Sequence, residues 1–397
     1  MREMKDSGIA WIGAIPNHWR VSKIKQIVRW KSVKGQPDLP VLSLYRDYGV
    51  IPKDSRDDNH NVTSLDTSGY KVVEHGDLVI NKMKAWQGSL AVSEYNGIVS
   101  PAYHICKITS ENICKKYLHY LLRDASYLPE YMRLSTGLRV GQWDLSFDDF
   151  KNIPFLVPSL AEQERIAAFL DAECAEIDAV LEKTRASIEE YKKLKQAVIT
   201  QAVTKGVRGD RPMKDSGIEW IGDIPAEWDY TKAKNCVNIQ NGSDPKAEGS
   251  IPVYGSGASS FKTCGEYKEG PSVLIGRKGA TLHIPHYIST KFWNVDTAFN
   301  VYAKPNFDLK FYFYCACSFD YRFYISQTTL PSMTQTAYEN MFLPLPSNDE
   351  QRAIASYLDN RCEEIDALIW KKQECLVEIE NYKKSLIYEY VTGKREV

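Results

Sequence analysis

The sequence predicts an α+β protein: two mixed, mainly β domains separated by two long antiparallel helices, which form a coiled-coil spacer with a pseudo-twofold, circular organisation. Three observations predict this class. The chain contains an internal duplication, each copy ends in a long segment with a seven-residue apolar repeat, and short β-like runs alternate with turn residues elsewhere. At 397 residues, 43% apolar and 25% charged, the chain is long enough for roughly two to three globular domains.

Two segments of the sequence occur twice. Residues 4–19 recur as residues 213–228 with twelve of sixteen positions identical, where chance gives roughly one. Residues 162–183 recur as residues 350–371 with twelve of twenty-two positions identical. The offset in numbering is 209 (213 − 4) for the first repeat and only 188 (350 − 162) for the second, so the piece between the repeats is shorter in the second copy. The sequence therefore predicts two domains of one fold with different surfaces.

A weaker similarity connects the pieces between the repeats. Residues 98–103 match residues 294–299, and residues 79–82 resemble residues 274–278. We place the domain boundaries at the ends of the repeats. The resulting segments are a first domain at 1–157 with its repeated motif at 4–19, a first long helix at 158–210, a second domain at 211–345 with its motif at 213–228, and a second long helix at 346–397.

Each copy ends in a helical segment. Pro158 and Ser159 offer a turn and a cap, and neither Pro nor Gly follows until Gly206. Apolar residues recur at the a and d positions of a heptad, and about 43 helical residues give a rod of roughly 65 Å. The residues that we assign to the coiled-coil seam are Leu170, Ile177, Leu181, Ile188, Tyr191, Val198, Leu358, Ile365, Ile369, Leu376, Ile379 and Leu386.

A helix of this length needs a partner in water for its apolar stripe. We expect the two helices to pair with each other; the alternative is that each packs on its own domain. Polar residues at heptad positions (Thr184, Lys195, Lys372 and Lys383) are expected to fix the register or to lie at accessible ends. If a pseudo-twofold axis relates the copies, the N-terminal motif packs where the last helix ends, and the termini lie close together.

The two domains combine strands with a few short helices. Apolar runs such as residues 77–80 and 273–275 alternate with turn residues. Short helices are expected near Lys115–Leu122 and Phe311–Phe319. Each domain is therefore predicted to be mixed α+β, chiefly strands.

Composition excludes several classes of protein. The chain opens with charged residues, so no signal peptide is predicted, and no apolar stretch approaches the roughly 18 residues of a membrane span. Nine cysteines without a C-x-x-C pair indicate reduced thiols in the cytoplasm. His283 and His286 have no nearby cysteine pair, so the sequence predicts no metal site.

The net charge of −1 conceals an uneven distribution. Residues 20–157 carry 19 Lys and Arg against 15 Asp and Glu, and residues 229–345 carry 11 against 9. The remaining segments therefore sum to −7 (−1 − 4 − 2). Basic domains on acidic helices indicate that the domains contact an anion and that the helices contact protein.

Loop-like segments in both domains combine basic, aromatic and small polar residues. Arg and Lys suit guanine edges, Gln suits adenine, hydroxyls suit phosphates, and Gly279 lets the backbone approach a phosphate. The alternative for each residue is an ordinary solvated loop, with Trp86 and Trp293 in the core. We expect Lys82→Ala or Arg277→Ala to lower DNA affinity. The residues that we assign to DNA binding are Tyr45, Arg46, Lys82, Lys84, Trp86, Gln87, Arg139, Tyr254, Arg277, Lys278, Thr281 and Thr328.

The sequence contains none of the catalytic motifs that we sought. A G-x-x-x-x-G-K-[ST] loop is absent, and so are the Asn/Asp-Pro-Pro-aromatic motif of amino-methyltransferases, H-E-x-x-H and G-x-S-x-G. The sequence thus predicts a DNA-binding protein that catalyses nothing by itself. A self-contained DNA-modifying enzyme and a bivalent adaptor that does not read DNA are the alternatives.

Several of these features occur together in one known family. Residues 7–16 with their second copy, Glu162-Gln163 and Glu350-Gln351 at the helix starts, and residues 275–279 followed by Phe292-Trp293 resemble the specificity subunit of type I restriction–modification enzymes. The resemblance covers the whole chain. It implies two target-recognition domains, each of which reads one half of a split, asymmetric site in double-stranded DNA.

The resemblance also implies partners. The helices would set the gap between the half-sites and hold two modification (methyltransferase) subunits, and restriction subunits would join to make an ATP-dependent endonuclease. S-adenosylmethionine and ATP would bind those partners, so no cofactor is expected on this chain.

Overall fold

The computed structural model describes residues 2–46, 48–56, 63–137, 143–257, 259–321, 324–325 and 331–397. The chain divides into two compact units, each of which holds one globular domain and part of both long helices. Unit 1 comprises Met1–Lys183 and Cys375–Val397, and unit 2 comprises Thr184–Glu374. The units thus divide within the helices, whereas the sequence-based segments end where the helices begin.

Unit 1 contains short strands because turn residues interrupt the chain every few positions. In chain order they are β1 Met4–Asp6, β2 Ala14–Pro16, β3 Arg20–Lys23, β4 Val28–Lys31, β5 Leu42–Tyr45, β6 Gly49–Pro52, β7 Lys71–Val73, β8 Asp77–Asn81, β9 Leu90–Val92, β10 Gly97–Val99, β11 Tyr103–Ile108, β12 Ser135–Thr136, β13 Asp144–Leu145 and β14 Pro154–Val157. The helices are α1 Lys115–Arg123, α2 Leu128–Leu134, α3 Phe147–Phe150 and the first part of α4 Leu160–Lys205.

The centre of unit 1 is an antiparallel four-stranded sheet in the order β4-β11-β8-β9. Leu78 and Ile80 on one face of β8 belong to the main core together with Tyr117 of α1. Val79 on the other face packs with Leu44 of β5 in a smaller core. The sheet is therefore covered on both faces, which accounts for the continuous apolar runs in its strands.

Unit 2 repeats this arrangement. Its strands are β15 Met213–Asp215, β16 Asp223–Pro225, β17 Asp229–Lys232, β18 Val237–Asn241, β19 Ile251–Tyr254, β20 Lys262–Cys264, β21 Ser272–Gly276, β22 His286–Ile288, β23 Trp293–Asn294, β24 Ala298–Ala303 and β25 Phe342–Leu345. The helices are α5 Ala233–Cys236, α6 Leu309–Ser318, α7 Gln335–Asn340, the last part of α4 and the first part of α8 Asn348–Val391. The central sheet has the order β18-β24-β21-β22.

The two central sheets share one strand register. The offset in numbering between equivalent positions is 209 at β4 and β18 (237 − 28), 195 at β8 and β21 (276 − 81), and 188 at β14 and β25 (345 − 157). The larger part of the difference in length between the two copies therefore lies between β4 and β8 in unit 1 and between β18 and β21 in unit 2. The rest lies after β11 and β24. The register also gives an offset of 195 at β11 and β24 (298 − 103), one less than the match of 98–103 with 294–299 implied.

The two long helices are antiparallel within each unit. In unit 1, Phe169 contacts Tyr390 with ring centres 4.5 Å apart, and Lys383 donates to Asp178 at 2.6 Å. In unit 2, Lys372 Nζ lies 5.6 Å from the ring centre of Tyr191, and Lys195 donates to Asp366 at 2.6 Å. The predicted antiparallel pairing is confirmed.

Burial follows the heptad. The positions assigned to the seam are buried or half-buried in both helices, whereas most positions between them are exposed. Lys195 and Lys383 occupy d positions, and each pairs with an aspartate of the facing helix. The helix starts also pack on the domains, since Leu170 and Leu358 belong to the main cores of units 1 and 2.

The N-terminal motif lies against the end of the last helix in unit 1. Arg2 pairs with Glu396 at 3.0 Å, and Lys394 Nζ donates to the carbonyl of Ile12 at 3.0 Å. Gly393 has a left-handed φ of +71°, and a Cβ there would clash with Pro16. The predicted closeness of the termini is confirmed. Among the described helices, none has an apolar stretch long enough to cross a membrane.

Candidate nucleic-acid interface

The chain leaves the central strand of unit 1 in a tight turn after Asn81. The side-chain oxygen of Asn81 accepts from the backbone N–H of Met83 at 3.2 Å, and Gly88 closes the turn in the left-handed region, with φ +82°. Glycine adopts that conformation without strain because it has no Cβ. Lys82 therefore lies just beyond the end of β8, and its side chain is half-buried.

Two tryptophans meet beside this turn. The indole of Trp86 donates to the carbonyl of Met83 at 3.1 Å and contacts Trp143 edge-on, with ring centres 5.3 Å apart. Both indoles are half-buried, so Trp86 is not a core residue. Lys84 and Gln87 are exposed on the same turn. The turn thus presents aromatic and cationic groups together.

Strand β13 brings a carboxylate to Lys82. The backbone N–H of Leu145 donates to the carbonyl of Lys82 at 2.9 Å, and Asp144 Oδ2 lies 3.1 Å from Lys82 Nζ. His104 Nε2 lies 3.2 Å from the carbonyl of Leu145, and burial lowers the pKa of this imidazole. We call Lys82, Trp86, Trp143 and Asp144 site 1.

A buried lysine adds positive charge near site 1. Lys71 Nζ donates to the carbonyls of Pro101 at 3.0 Å and Tyr103 at 2.5 Å. Burial lowers the pKa of Lys71, and repulsion from Lys34 and Lys82 lowers it further. That repulsion indicates that the three cations share one local field.

Tyr45 and Arg46 lie on a separate hairpin, formed by β5 and β6. The guanidinium of Arg56 lies 5.9 Å from the ring centre of Tyr45 and 4.3 Å from that of Tyr48. The side chain of Arg46 is exposed, and its carbonyl accepts from Arg123. Site 1 is built without these two predicted residues.

The corresponding position in unit 2 carries an arginine. Arg277 follows β21, and its guanidinium lies 5.8 Å from the ring centre of Phe299. Its Nη1 lies 3.4 Å from the carbonyl of Asp296. Gly279 has φ +112°, and its N–H donates to the carbonyl of Pro331 at 3.0 Å. The turn after β21 is therefore held to the segment that begins at Pro331.

That segment is hydrogen-bonded to the turn after β21 in the same way that β13 is hydrogen-bonded to the turn after β8 in unit 1. The N–H of Met333 donates to the carbonyl of Arg277 at 2.9 Å, and Lys278 forms a β-bridge with Ser332. A shallow cavity of about 280 Å³ lies between this segment, Arg277 and Phe299. We call Arg277, Lys278, Phe299 and Ser332 site 2.

Thr281 and Tyr254 lie next to site 2. The hydroxyl of Thr281 donates to the carbonyl of Ser256 at 2.9 Å, and the carbonyl of Tyr254 accepts from the N–H of Val295 at 3.0 Å. Tyr254 is half-buried at the end of β19. The Thr281 proton is thus used within the protein, which leaves its oxygen as an acceptor.

Trp293 is half-buried rather than in the core. Its indole donates to the carbonyl of Ser243 at 2.7 Å, and Lys268 Nζ lies 5.4 Å from its ring centre. Lys268 also donates to the side-chain oxygens of Asn294 at 2.8 Å and Asn300 at 2.6 Å, and burial lowers its pKa. Neutral oxygens and an aromatic ring therefore hold this cation.

Sequence reasoning missed part of both sites and named residues beyond them. Arg139 and Thr328 lie outside the described residues. Trp143, Asp144 and Ser332 were not predicted, although Trp143 is only four residues after Arg139 in the sequence. The contact of Asp144 with Lys82 joins positions far apart in the chain, so only the strand pairing reveals it. Within the described ranges, no group of His, Cys, Asp and Glu side chains could hold a metal ion.

Comparison with known proteins identifies the family. The model of the type I restriction modification DNA specificity domain matches residues 16–190 and 225–376, which is most of the chain. The chain belongs to this family, whose members carry the DNA specificity of type I systems. It is therefore a specificity component rather than a catalytic subunit.

Curated relatives agree with this assignment, and solved structures share the fold. The MjaVIII type I specificity subunit of Methanocaldococcus jannaschii is 24% identical, over 96% of this chain and 94% of the relative. The putative MjaX specificity subunit of the same organism is 22% identical, over 97% and 96%. A chain from a structural study of complex assembly and conformational transition in the type I R-M system superposes with a TM-score of 0.73 at 16% identity, over 96% and 99% of the two chains. The HsdS subunit of Thermoanaerobacter tengcongensis gives a TM-score of 0.50 at 16% identity, over 96% and 98%.

Proposed function

We propose that this chain reads a bipartite, asymmetric target in double-stranded DNA with two recognition domains. It holds two modification subunits, which methylate adenine, and restriction subunits join the assembly for DNA cleavage. The complex acts in the cytoplasm, where it meets DNA. S-adenosylmethionine and ATP bind to the partner subunits, and this chain supplies sequence recognition.

One observation carries the proposal: a cationic side chain follows the same strand in both central sheets. Lys82 and Arg277 are equivalent by the strand register, with the same offset of 195 (277 − 82), and each has its carbonyl bonded to a crossing segment. Lys and Arg are the side chains best suited to guanine edges and to phosphates. Repetition of this placement supports two equivalent DNA contacts.

The surroundings of the two cations differ. Site 1 carries Trp143 and Asp144, whereas site 2 carries Phe299 and Ser332. Base-edge contacts specify sequence, whereas phosphate contacts position the protein. Two recognition domains with one fold and different side chains therefore support a target with unlike halves.

The long helices support the binding of protein partners. Trp370 is 57% exposed and Leu368 is 42% exposed, both outside the seam that joins the helices. Exposed apolar side chains together with acidic helices fit protein contacts better than DNA contacts. We assign the modification subunits to these helix surfaces.

The proposal is tested by expressing the chain with its modification subunit and mapping methylated adenines in the host genome by long-read sequencing. We expect one motif with two specified parts separated by a gap of fixed length. A continuous motif would contradict the proposal that the target is bipartite. Absence of methylation, together with a salt slope of DNA binding near zero for the purified complex, would favour an adaptor that does not read DNA.

A further inference from the structure

Lys82 at site 1 is paired with a carboxylate that is itself accessible. Asp144 Oδ2 lies 3.1 Å from Lys82 Nζ, and the side chains are 48% and 33% exposed. Asp144 Oδ1 is buried and has no hydrogen-bond partner among the described residues. An exposed ion pair contributes little to stability. The pair therefore offers one donor group and one acceptor group to a ligand.

The backbone fixes the position of this pair. The bond from Leu145 N–H to the Lys82 carbonyl joins the two segments directly beside both side chains, and β13 also pairs with β12. The hydroxyl of Ser146 caps α3 by accepting from the N–H of Asp149 at 3.1 Å. Asp144 itself is opposite Thr136 in this strand pair, and the two residues that follow it are hydrogen-bonded, so its carboxylate stays within reach of Lys82.

The equivalent position in unit 2 has no carboxylate. Met333 bonds to the Arg277 carbonyl as Leu145 bonds to that of Lys82, and Thr334 caps α7 as Ser146 caps α3. These equivalences share the offset of 188 (333 − 145), which places Ser332 at the position of Asp144. Within the described part of the chain, Arg277 forms no ion pair, and its guanidinium lies near the carbonyl of Asp296 and the ring of Phe299.

We propose that Lys82 and Asp144 together read one G·C base pair in the half of the target that unit 1 recognises. This inference rests on the proposed function and names the base pair for site 1. Lys82 donates to guanine O6 or N7, and Asp144 accepts from the amino group of cytosine N4 in the major groove. Asp144 is therefore a specificity-determining residue.

The spacing of the pair fits this target. Guanine O6 and cytosine N4 are hydrogen-bonded to each other in the base pair, so they are roughly 2.9 Å apart. Lys82 Nζ and Asp144 Oδ2 are 3.1 Å apart, which lets each meet one of the two groups in parallel. An A·T pair with adenine in the place of guanine presents the amino group and the acceptor in the reverse order, so both side chains then face groups of the wrong kind.

Asp144 also has a consequence for nonspecific binding. The Asp144 carboxylate compensates the charge of the Lys82 ammonium group as long as the two are paired. A DNA phosphate must therefore compete with this carboxylate for Lys82. Removal of Asp144 should therefore free Lys82 for a phosphate contact. The salt slope of nonspecific binding should steepen by about one, and nonspecific affinity should rise roughly two- to fivefold at moderate salt.

The test uses the complex of the full chain with its modification subunit. Its binding is measured to duplexes that carry the motif identified by mapping methylated adenines. Each position of both half-sites is changed in turn by a transition, in which adenine takes the place of guanine, or guanine that of adenine, on the same strand. For the unchanged protein we expect one G·C to A·T change in one half to lower affinity roughly 5- to 150-fold. In Asp144→Asn that loss should largely disappear at this position and persist at the others.

Two controls separate the base contact from general charge effects. Asp148→Asn removes the same charge from an exposed carboxylate, which pairs with Lys151, and should leave the discrimination and the salt slope unchanged. In a Lys82→Ala background, Asp144→Asn should not raise nonspecific affinity. Asp144→Ser, which places the residue of unit 2 at this position, should reproduce Asp144→Asn if the asparagine variant folds poorly.

The outcomes separate this inference from the proposed function. If Asp144→Asn and Asp144→Ser both discriminate as the unchanged protein does, or if Asp148→Asn behaves in the same way as they do, the G·C assignment is wrong while the proposed function stands. If the unchanged complex shows no preference at any position of the duplex, the proposed function itself is wrong.

Discussion

Two glutamines make equivalent contacts at the starts of the long helices. Gln163 accepts from the N–H of Cys114 at 2.9 Å and donates to the carbonyl of Pro158 at 3.0 Å. Gln351 accepts from the N–H of Asp308 at 2.8 Å and donates to the carbonyl of Pro346 at 2.9 Å. Each side chain is buried and joins a helix start to a loop and to the end of a strand.

Removal of either glutamine amide should destabilise the chain. Gln163→Ala or Gln351→Ala leaves a buried carbonyl and a half-buried N–H without these partners. Each buried group that stays unsatisfied costs about 1–3 kcal/mol. The measurement is urea unfolding of the full chain. Gln201→Ala on α4 is the matched control, since Gln201 is exposed. A midpoint for Gln163→Ala equal to that of Gln201→Ala would show that the amide is not required.

The long helices were the elements most accessible to prediction from sequence. Their signals are local: a seven-residue repeat, the absence of Pro and Gly, and a cap at Ser159, whose hydroxyl accepts from the N–H of Glu162 at 3.3 Å. The observed helices, Leu160–Lys205 and Asn348–Val391, are close to the expected segments. The short helices α1 and α6 also lie near Lys115–Leu122 and Phe311–Phe319, as expected.

The sites were less accessible because their contacts are not local. Lys82 and Arg277 were found from their residue types and from the similarity of the strands before them. The partners Asp144 and Ser332 lie on segments whose pairing with those turns is set by strand register, and a one-residue shift in register reverses the side of every side chain. The sequence match at residues 98–103 was shifted by that one residue.

Core leucines in the helices should contribute strongly to stability. Leu170 in unit 1 and Leu358 in unit 2 are fully buried. Replacement of either by alanine should lower the free energy of unfolding by about 2–5 kcal/mol, because the lost methyl groups leave a cavity. Leu194→Ala is the matched control, since Leu194 is 46% exposed on α4 and should change stability by less than about 0.5 kcal/mol. Equal thermal midpoints for Leu170→Ala and Leu194→Ala would contradict the core assignment.

At the scale of the whole molecule, the copies are most alike in the repeated motifs and in the long helices. Arg2 and Arg211 share the offset of the first repeat, 209 (211 − 2), and pair with the equivalent carboxylates Glu162 and Glu350, at 2.9 Å and 2.7 Å. The pairs Asp178–Lys383 and Asp366–Lys195 are also equivalent, with the offset of the second repeat, 188 (366 − 178 and 383 − 195). The differences between the copies are concentrated in the two domains. The second domain is shorter than the first, and the side chains at site 2 differ from those at site 1.

The central claim is that a repeated framework carries two domains that read different sequences independently. The most direct measurement exchanges residues 20–157 for the corresponding domain of another specificity subunit and maps methylated adenines in cells that also express the modification subunit. We expect one half of the motif to change, while the other half stays as it was. A change in both halves, or in neither, would contradict the claim.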